Sequence, residues 1–148
     1  MRKSYNEKLN TPGDLPRVED MSGNAEFLAR YGARSMLIAA PMQYNELIAA
    51  IPRGRVVTTE ALREDLAKAA GADMTCPLTA GIFINICANA ALERGDEDFP
   101  YWRVVKARGE CNPKFPEGDE GQAQRLAAEG HQVVQRGKKW FVAGWDKA

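Results

Sequence analysis

The chain has 148 residues, 45% of them hydrophobic and 27% charged, and its 20 basic and 20 acidic side chains leave a net charge of zero. This is ordinary globular composition, long enough for one core without metal or disulfide staples, and its charge balance argues against a strongly electrostatic nucleic-acid binder. No apolar run reaches the roughly 18–20 residues needed to span a bilayer, and Met1-Arg-Lys-Ser-Tyr-Asn-Glu-Lys has no apolar stretch behind its basic residues. No membrane association and no secretory signal are therefore expected, and a cytoplasmic monomer is the expectation.

Residues 1–40 are expected to form an N-terminal arm of undefined role. Its first 23 residues are polar, with Pro12-Gly13, Pro16 and Gly23, and read as extended chain. A short helix is predicted over Asn24–Tyr31, and Ser35–Ala40 is an apolar run too short to classify by period. Pro41 opens a helix carrying Tyr44, Leu47, Ile48 and Ile51 at helical spacing, and Pro52 stops it. A turn, a short Val-Val strand and a threonine cap then lead into a helix over Glu60–Ala70, with Leu62, Leu66 and Ala69 inward and Gly71 behind it.

Pro77 opens a second helix to Glu93, with Leu78, Ile82, Ile86 and Ala90 on one apolar stripe. Its other positions are unusual. Thr79, Ala80, Gly81, Asn85 and Asn89 are small or polar, and none is charged. A solvent-facing helix normally carries Lys and Glu, so this face is expected to approach something closely: a ligand, or the N-terminal arm. Beyond it come the acidic loop Asp96–Asp98, the strand-like Phe99-Pro-Tyr-Trp-Arg-Val-Val, a Pro/Gly loop over Asn112–Gly118, and a helix over Gly121–Glu129. A hairpin closes the chain, with strands His131–Gln135 and Lys139–Val142. The fold class is mainly α with small β elements, of winged-helix or helix-turn-helix type, in a domain over residues 41–148.

Charge is uneven along the chain. Residues 41–98 carry 5 basic and 9 acidic side chains, and residues 99–148 carry 9 and 6. A phosphate-facing surface is therefore expected to draw on Arg103, Lys106, Arg108, Lys114, Arg136, Lys138 and Lys139. Three scattered cysteines without a CxxC pair, and the lone His131, point to neither a disulfide framework nor a metal site. No cofactor is expected. Cys76 stands before Pro77 at a predicted helix N-terminus, which makes it the best candidate for a reactive thiol, although a cap or filler role fits it as well. Cys87 reads as core. Cys111 lies in a loop with nothing visible to activate it.

The stretch from Gln43 to Val134 resembles the DNA-binding domain of the O6-alkylguanine–DNA alkyltransferases and their alkyltransferase-like relatives. Five pieces carry the resemblance, in order. Ile51-Pro-Arg-Gly-Arg-Val-Val-Thr-Thr matches the approach to that family's helix-turn-helix, and Thr79-Ala-Gly with Asn89 matches its recognition helix. Pro100-Tyr-Trp-Arg-Val stands where the family has Pro-Cys-His-Arg-Val. Asn112-Pro-Lys-Phe-Pro-Glu-Gly matches the loop that covers its base pocket, and Leu126-Ala-Ala-Glu-Gly-His matches its closing helix. The resemblance implies a helix placed in the minor groove and a pocket for a flipped base. It assigns Tyr101, Trp102, Arg103, Val104, Asn89, Phe115 and Glu129 to that pocket. It assigns Thr59, Leu78, Thr79, Ala80, Gly81 and Lys114 to the DNA surface.

The departures from the family matter most. Its acceptor cysteine is replaced by Tyr101, a phenol with an ordinary pKa of about 10. Its activating histidine is replaced by Trp102, whose indole N–H only donates. Glu129 keeps the family's glutamate with no imidazole to orient. Thr59 and Leu78 stand where the family has a tyrosine and an inserted arginine. Leu78 could still wedge between bases, and Tyr101 and Trp102 would offer an aromatic surface for stacking, unless they are simply core.

Three readings follow. The first is a non-enzymatic protein that binds double-stranded, damaged or alkylated DNA and works beside a repair partner. The second is an alkyl acceptor using Cys76 or Cys111. The third is a protein-interaction scaffold on a remodelled fold.

Overall fold

The computed structural model describes residues 3–147. Met1, Arg2 and Ala148, the outermost residues of the expected arm and domain, lie outside the described residues. The fold is mainly α with small β elements. Among the described residues no helix is long and apolar enough to cross a membrane.

The N-terminal segment corrects the expectation of an extended chain. Helix α1, Tyr5–Asn10, opens with a capping box in which the Ser4 hydroxyl accepts from the Glu7 N–H and the Glu7 carboxylate accepts from the Ser4 N–H. Strand β1, Arg17–Asp20, pairs antiparallel with β2, Ser35–Ile38. Between them α2, Ala25–Tyr31, is capped by Asn24 and closed by Gly32 in the left-handed region. Helix α3 spans Pro41–Ala49 and ends before Pro52, as expected.

Strand β3, Val57–Thr58, feeds α4, Thr59–Ala70, whose cap is the Thr58 hydroxyl accepting from the Ala61 N–H. Strand β4, Met74–Thr75, pairs parallel with β2 and so ties the N-terminal segment to the connector between α4 and α5. The Thr75 hydroxyl donates to the Arg63 carbonyl of α4 at 2.7 Å. Helix α5 runs Pro77–Glu93, within the predicted bounds. A single 3-10 turn over Tyr101–Arg103 leads into β5, Val104–Val105, which pairs parallel with β3. Helix α6, Gly118–Ala128, starts about a turn earlier than predicted. Strands β6, Val133–Arg136, and β7, Lys139–Val142, close on a two-residue turn with Gly137 first, at φ 64°, the glycine-first pattern of a type II′ turn.

One core joins all of this. Leu9 of α1 and Leu37 of β2 share it with Tyr44 and Ile48 of α3, Leu62 and Leu66 of α4, Ile84 of α5, Val104 of β5 and Leu126 of α6. Helix α5 is its central strut, and its inward positions are Ala80, Ile84, Cys87, Ala88, Ala90 and Ala91. The expected stripe divides: Ala90 is buried in the core and Ile86 packs against it, whereas Leu78 is 73% exposed and Ile82 50% exposed. The alanines let neighbouring backbones approach closely, and the two larger side chains are left at the surface.

Candidate nucleic-acid interface

The exposed face of α5 floors a groove of about 640 Å³. Pro77, Leu78, Gly81, Ile82, Asn85 and Ile86 line it from α5, Thr59 and Arg63 from α4, and Tyr5 and Lys8 from α1. Lys106, Asn112 and Lys114 close it from the loops after β5. Four cations thus surround an uncharged helix face, and no carboxylate lines the groove among the described residues.

Of the expected DNA-facing residues, Thr59, Leu78, Gly81 and Lys114 line this groove. Ala80 touches its floor but belongs to the buried core, so it offers no free side chain. Thr79 does not line the groove; its hydroxyl donates back to the Cys76 carbonyl at 3.4 Å. The expected C-terminal cations divide. Lys106 and Lys114 reach the groove. Arg108 and Arg136 sit in a separate cleft of about 470 Å³ with Phe141 and Trp145.

The aromatic pair does not offer a surface for stacking. Tyr101 and Trp102 are only 7% and 8% exposed. Tyr101 packs edge-on against Trp102 at 5.5 Å and against Phe115 at 5.1 Å. Its hydroxyl donates to the Glu117 carboxylate at 3.0 Å. The Arg125 guanidinium, paired with that same carboxylate, lies 4.6 Å from the Trp102 ring centre, a cation–π arrangement. Burial, then the Glu117 carboxylate, push the Tyr101 phenol up to about 12. Tyr101 is therefore a neutral hydrogen-bond donor, not a phenolate. The Glu117 carboxyl is held below its usual range, first by Arg125.

Arg103 is not free for a phosphate. Its guanidinium grips both oxygens of Glu129, at 2.9 and 2.6 Å, and donates to the Ile51 carbonyl at 2.7 Å. The Glu129 side chain is 5% exposed, and Arg103 holds its carboxyl below the usual range. The nearly buried Glu129 carboxylate is thus neutralised chiefly by Arg103, with the exposed Arg53 also 3.8 Å from it. Among the described residues the buried Trp102 indole N–H meets no acceptor in good hydrogen-bond geometry. Val104 is buried in β5. Asn89 donates to the Asn85 carbonyl one turn back in α5, at 2.9 Å.

Six residues that shape this region escaped the sequence analysis, two of them Tyr5 and Lys8 of α1. Gln122 is fully buried and acts as a three-way clamp. Its amide donates to the Trp102 and Val104 carbonyls at 2.9 and 2.7 Å, and its carbonyl accepts from the Asn112 N–H at 2.6 Å. Glu117 and Arg125 close the aromatic cluster, and Arg63 joins the groove from a helix whose sequence gave no phosphate signal. The inward spacing of Gln122, Ala123 and Leu126 on α6 was the available clue to the clamp.

The cysteines are placed as follows. Cys76 is the half-buried residue before α5, and its side chain makes no capping hydrogen bond. Burial pushes the Cys87 and Cys111 thiols up to about 12 each. Asp96 of the acidic loop pairs with Arg94 at 3.2 Å.

No family model matches the chain, and no curated protein matches it. Among solved structures the chain is similar to S. pombe Atl1, crystallised in complex with damaged DNA containing O6-carboxymethylguanine. The two are 20% identical with a TM-score of 0.49, and the similarity covers 72% of this chain and 90% of that one. No residue role follows from a likeness at that level.

Proposed function

We propose that this protein is a non-enzymatic, alkyltransferase-like DNA-binding protein that recognises damaged or alkylated duplex DNA. Helices α4 and α5 act as the helix-turn-helix pair, and α5 enters the minor groove. The observation that carries the reading is the groove itself: an exposed, uncharged helix face rimmed by Arg63, Lys106 and Lys114, with no carboxylate in its lining. Lysine and arginine at such a rim displace counterions from phosphates. Leu78 and Ile82, exposed at its floor, are apolar wedges of the kind that unstack a base step. A lesion that already weakens stacking lowers the cost of that insertion.

Alkyl transfer at the acceptor position does not fit this chemistry. Tyr101 is a buried neutral phenol bonded to Glu117, and Glu129 is occupied by Arg103. Neither supplies a nucleophile activated by a base. The buried, high-pKa thiol of Cys111 weighs against that residue as a substitute.

The test is a binding titration with two short duplexes, one carrying O6-methylguanine and one unmodified, over a range of salt, with intact-mass analysis of the same samples. The expected result is tighter binding to the lesion, no mass gain, and a log-affinity slope against log salt of about −3 to −4. Equal binding to both duplexes would reduce the reading to a general DNA-binding module. Absence of binding at low salt would leave a protein-interaction scaffold, and a covalent adduct would point to Cys76.

A further inference from the structure

Helix α1 is six residues long, too short to persist on its own in water, yet it is tied firmly to the rest of the molecule. Leu9 enters the core. The Glu93 carboxylate, at the far end of α5, accepts from the backbone N–H groups of Tyr5 and Asn6, both at 3.1 Å, and from the Asn6 amide at 2.9 Å. The Asn6 amide also donates to the Ala90 carbonyl at 2.9 Å, and Arg94 donates to the Asn6 side-chain oxygen at 3.2 Å. A carboxylate on the unpaired N–H groups of a helix start satisfies donors that the helix itself leaves open. The result is a helix fixed beside the open face of α5, with Tyr5 and Lys8 lining the groove. Lys8 stands 5.2 Å from the centre of the Tyr5 ring. None of the ion pairs among the described residues includes it.

We propose that α1 is a second DNA-contacting element, in which Lys8 pairs with a backbone phosphate of a duplex seated on α5 and Glu93 is the positioning residue that holds α1 in place. The inference rests on the DNA-binding reading above and extends it to a segment outside the stretch that carries the family resemblance. Charge complementarity selects the occupant. An acidic phosphate backbone suits a rim of Lys8, Arg63, Lys106 and Lys114, whereas a cationic peptide would be repelled. Tyr5, 39% exposed, gives the same helix an apolar ring beside the cation, suited to contact with a sugar edge.

The test uses the full chain and an unmodified duplex, with affinity measured across a salt series for the wild type, Lys8→Gln and Glu93→Ala, and a thermal melt for each. Lys8→Gln is expected to weaken binding by about three- to tenfold and to reduce the magnitude of the salt slope by about 1, with the melt unchanged. Glu93→Ala removes a negative charge, so electrostatics alone would tighten binding. The proposal requires the reverse: weaker binding and the same loss of slope, because α1 is released. Glu93→Gln, which keeps an acceptor for the α1 N–H groups, is expected to restore most of the affinity. Wild-type binding with Lys8→Gln unchanged in affinity and slope would overturn the role of α1 and leave the DNA-binding reading standing. A wild type that does not bind the duplex would overturn both.

Discussion

The Arg103–Glu129 pair is the most nearly buried ion pair among the described residues. The nearly buried Glu129 carboxylate takes two hydrogen bonds from the Arg103 guanidinium. Arg103→Met would leave this carboxylate only the exposed Arg53, 3.8 Å away, and a buried charge so deprived is strongly destabilising, by about 3–5 kcal/mol at most. The Ile51 carbonyl would lose its donor as well. The folded-state pKa of Glu129 is depressed. The stabilisation from the pair is therefore fully present above the ordinary carboxylate range and is lost as pH falls through the lower folded value. Urea unfolding in neutral and in acidic buffer checks this. The gap between wild type and Arg103→Met should be wide at neutral pH and narrow in acid. A gap that is the same at both would mean that Arg103 acts by packing and its bond to Ile51, not by charge.

At the scale of elements, punctuation was legible and orientation was not. Pro41, Pro52, Pro77, Gly71 and Thr58 set the ends of α3, α4 and α5 in the sequence, because proline and the caps act locally. Before its C-terminal Glu93, helix α5 is apolar or uncharged on every side, so two stripes compete at helical spacing: Leu78, Ile82, Ile86 and Ala90, or Ala80, Ile84, Cys87 and Ala91. Residue size favours the first, but close packing against α1 and α3 buries the alanine-rich second together with Ala90 and leaves Leu78 and Ile82 outside, a choice that only tertiary contacts make. The prolines and glycines of residues 12–23 pointed to extended chain, and α1 is set instead by the capping box of Ser4 and Glu7 and its packing on α5. Strand β1 is exposed at three of its four positions, so no alternation betrayed it. The aromatic cluster was legible as Tyr101 and Trp102, while its closure by Glu117 and Arg125 depends on the placement of α6.

The exposure of Leu78 and Ile82 has a measurable consequence. Leu78→Ala and Ile82→Ala should each change stability by no more than about 0.5 kcal/mol, as exposed positions do. Ile84→Ala should cost about 2–5 kcal/mol. DNA affinity should show the opposite order, falling for the two exposed variants and holding for the folded fraction of Ile84→Ala. Chemical denaturation with a duplex titration on each variant separates the two patterns. A large stability loss at Leu78 would return it to the core.

For the molecule as a whole, the question is whether residues 1–40 can be removed. The core argues that they cannot. Leu9, Leu37 and Ala39 lie in the same cluster as the side chains of α3 to α6, and β2 is the middle strand between β1 and β4. Removing the segment would strip β4 of its only paired strand among the described residues and uncover the inner face of α5 where α1 sits. Burying a leucine is worth about 1.5–3 kcal/mol, so Leu9 and Leu37 together approach the low end of the roughly 5–15 kcal/mol that holds a whole domain folded. The lost strand pairing and the Glu93 contacts add to that. A chain of residues 41–148 is therefore expected to lack a cooperative thermal transition, or to melt far below the full chain, and to lose DNA binding through unfolding as well as through the loss of Lys8. Calorimetry of the two chains side by side checks this. A cooperative transition of the shortened chain close to that of the full one would show that the segment is an appendage, and would make the weaker binding expected of that chain a direct measure of what α1 contributes to the interface.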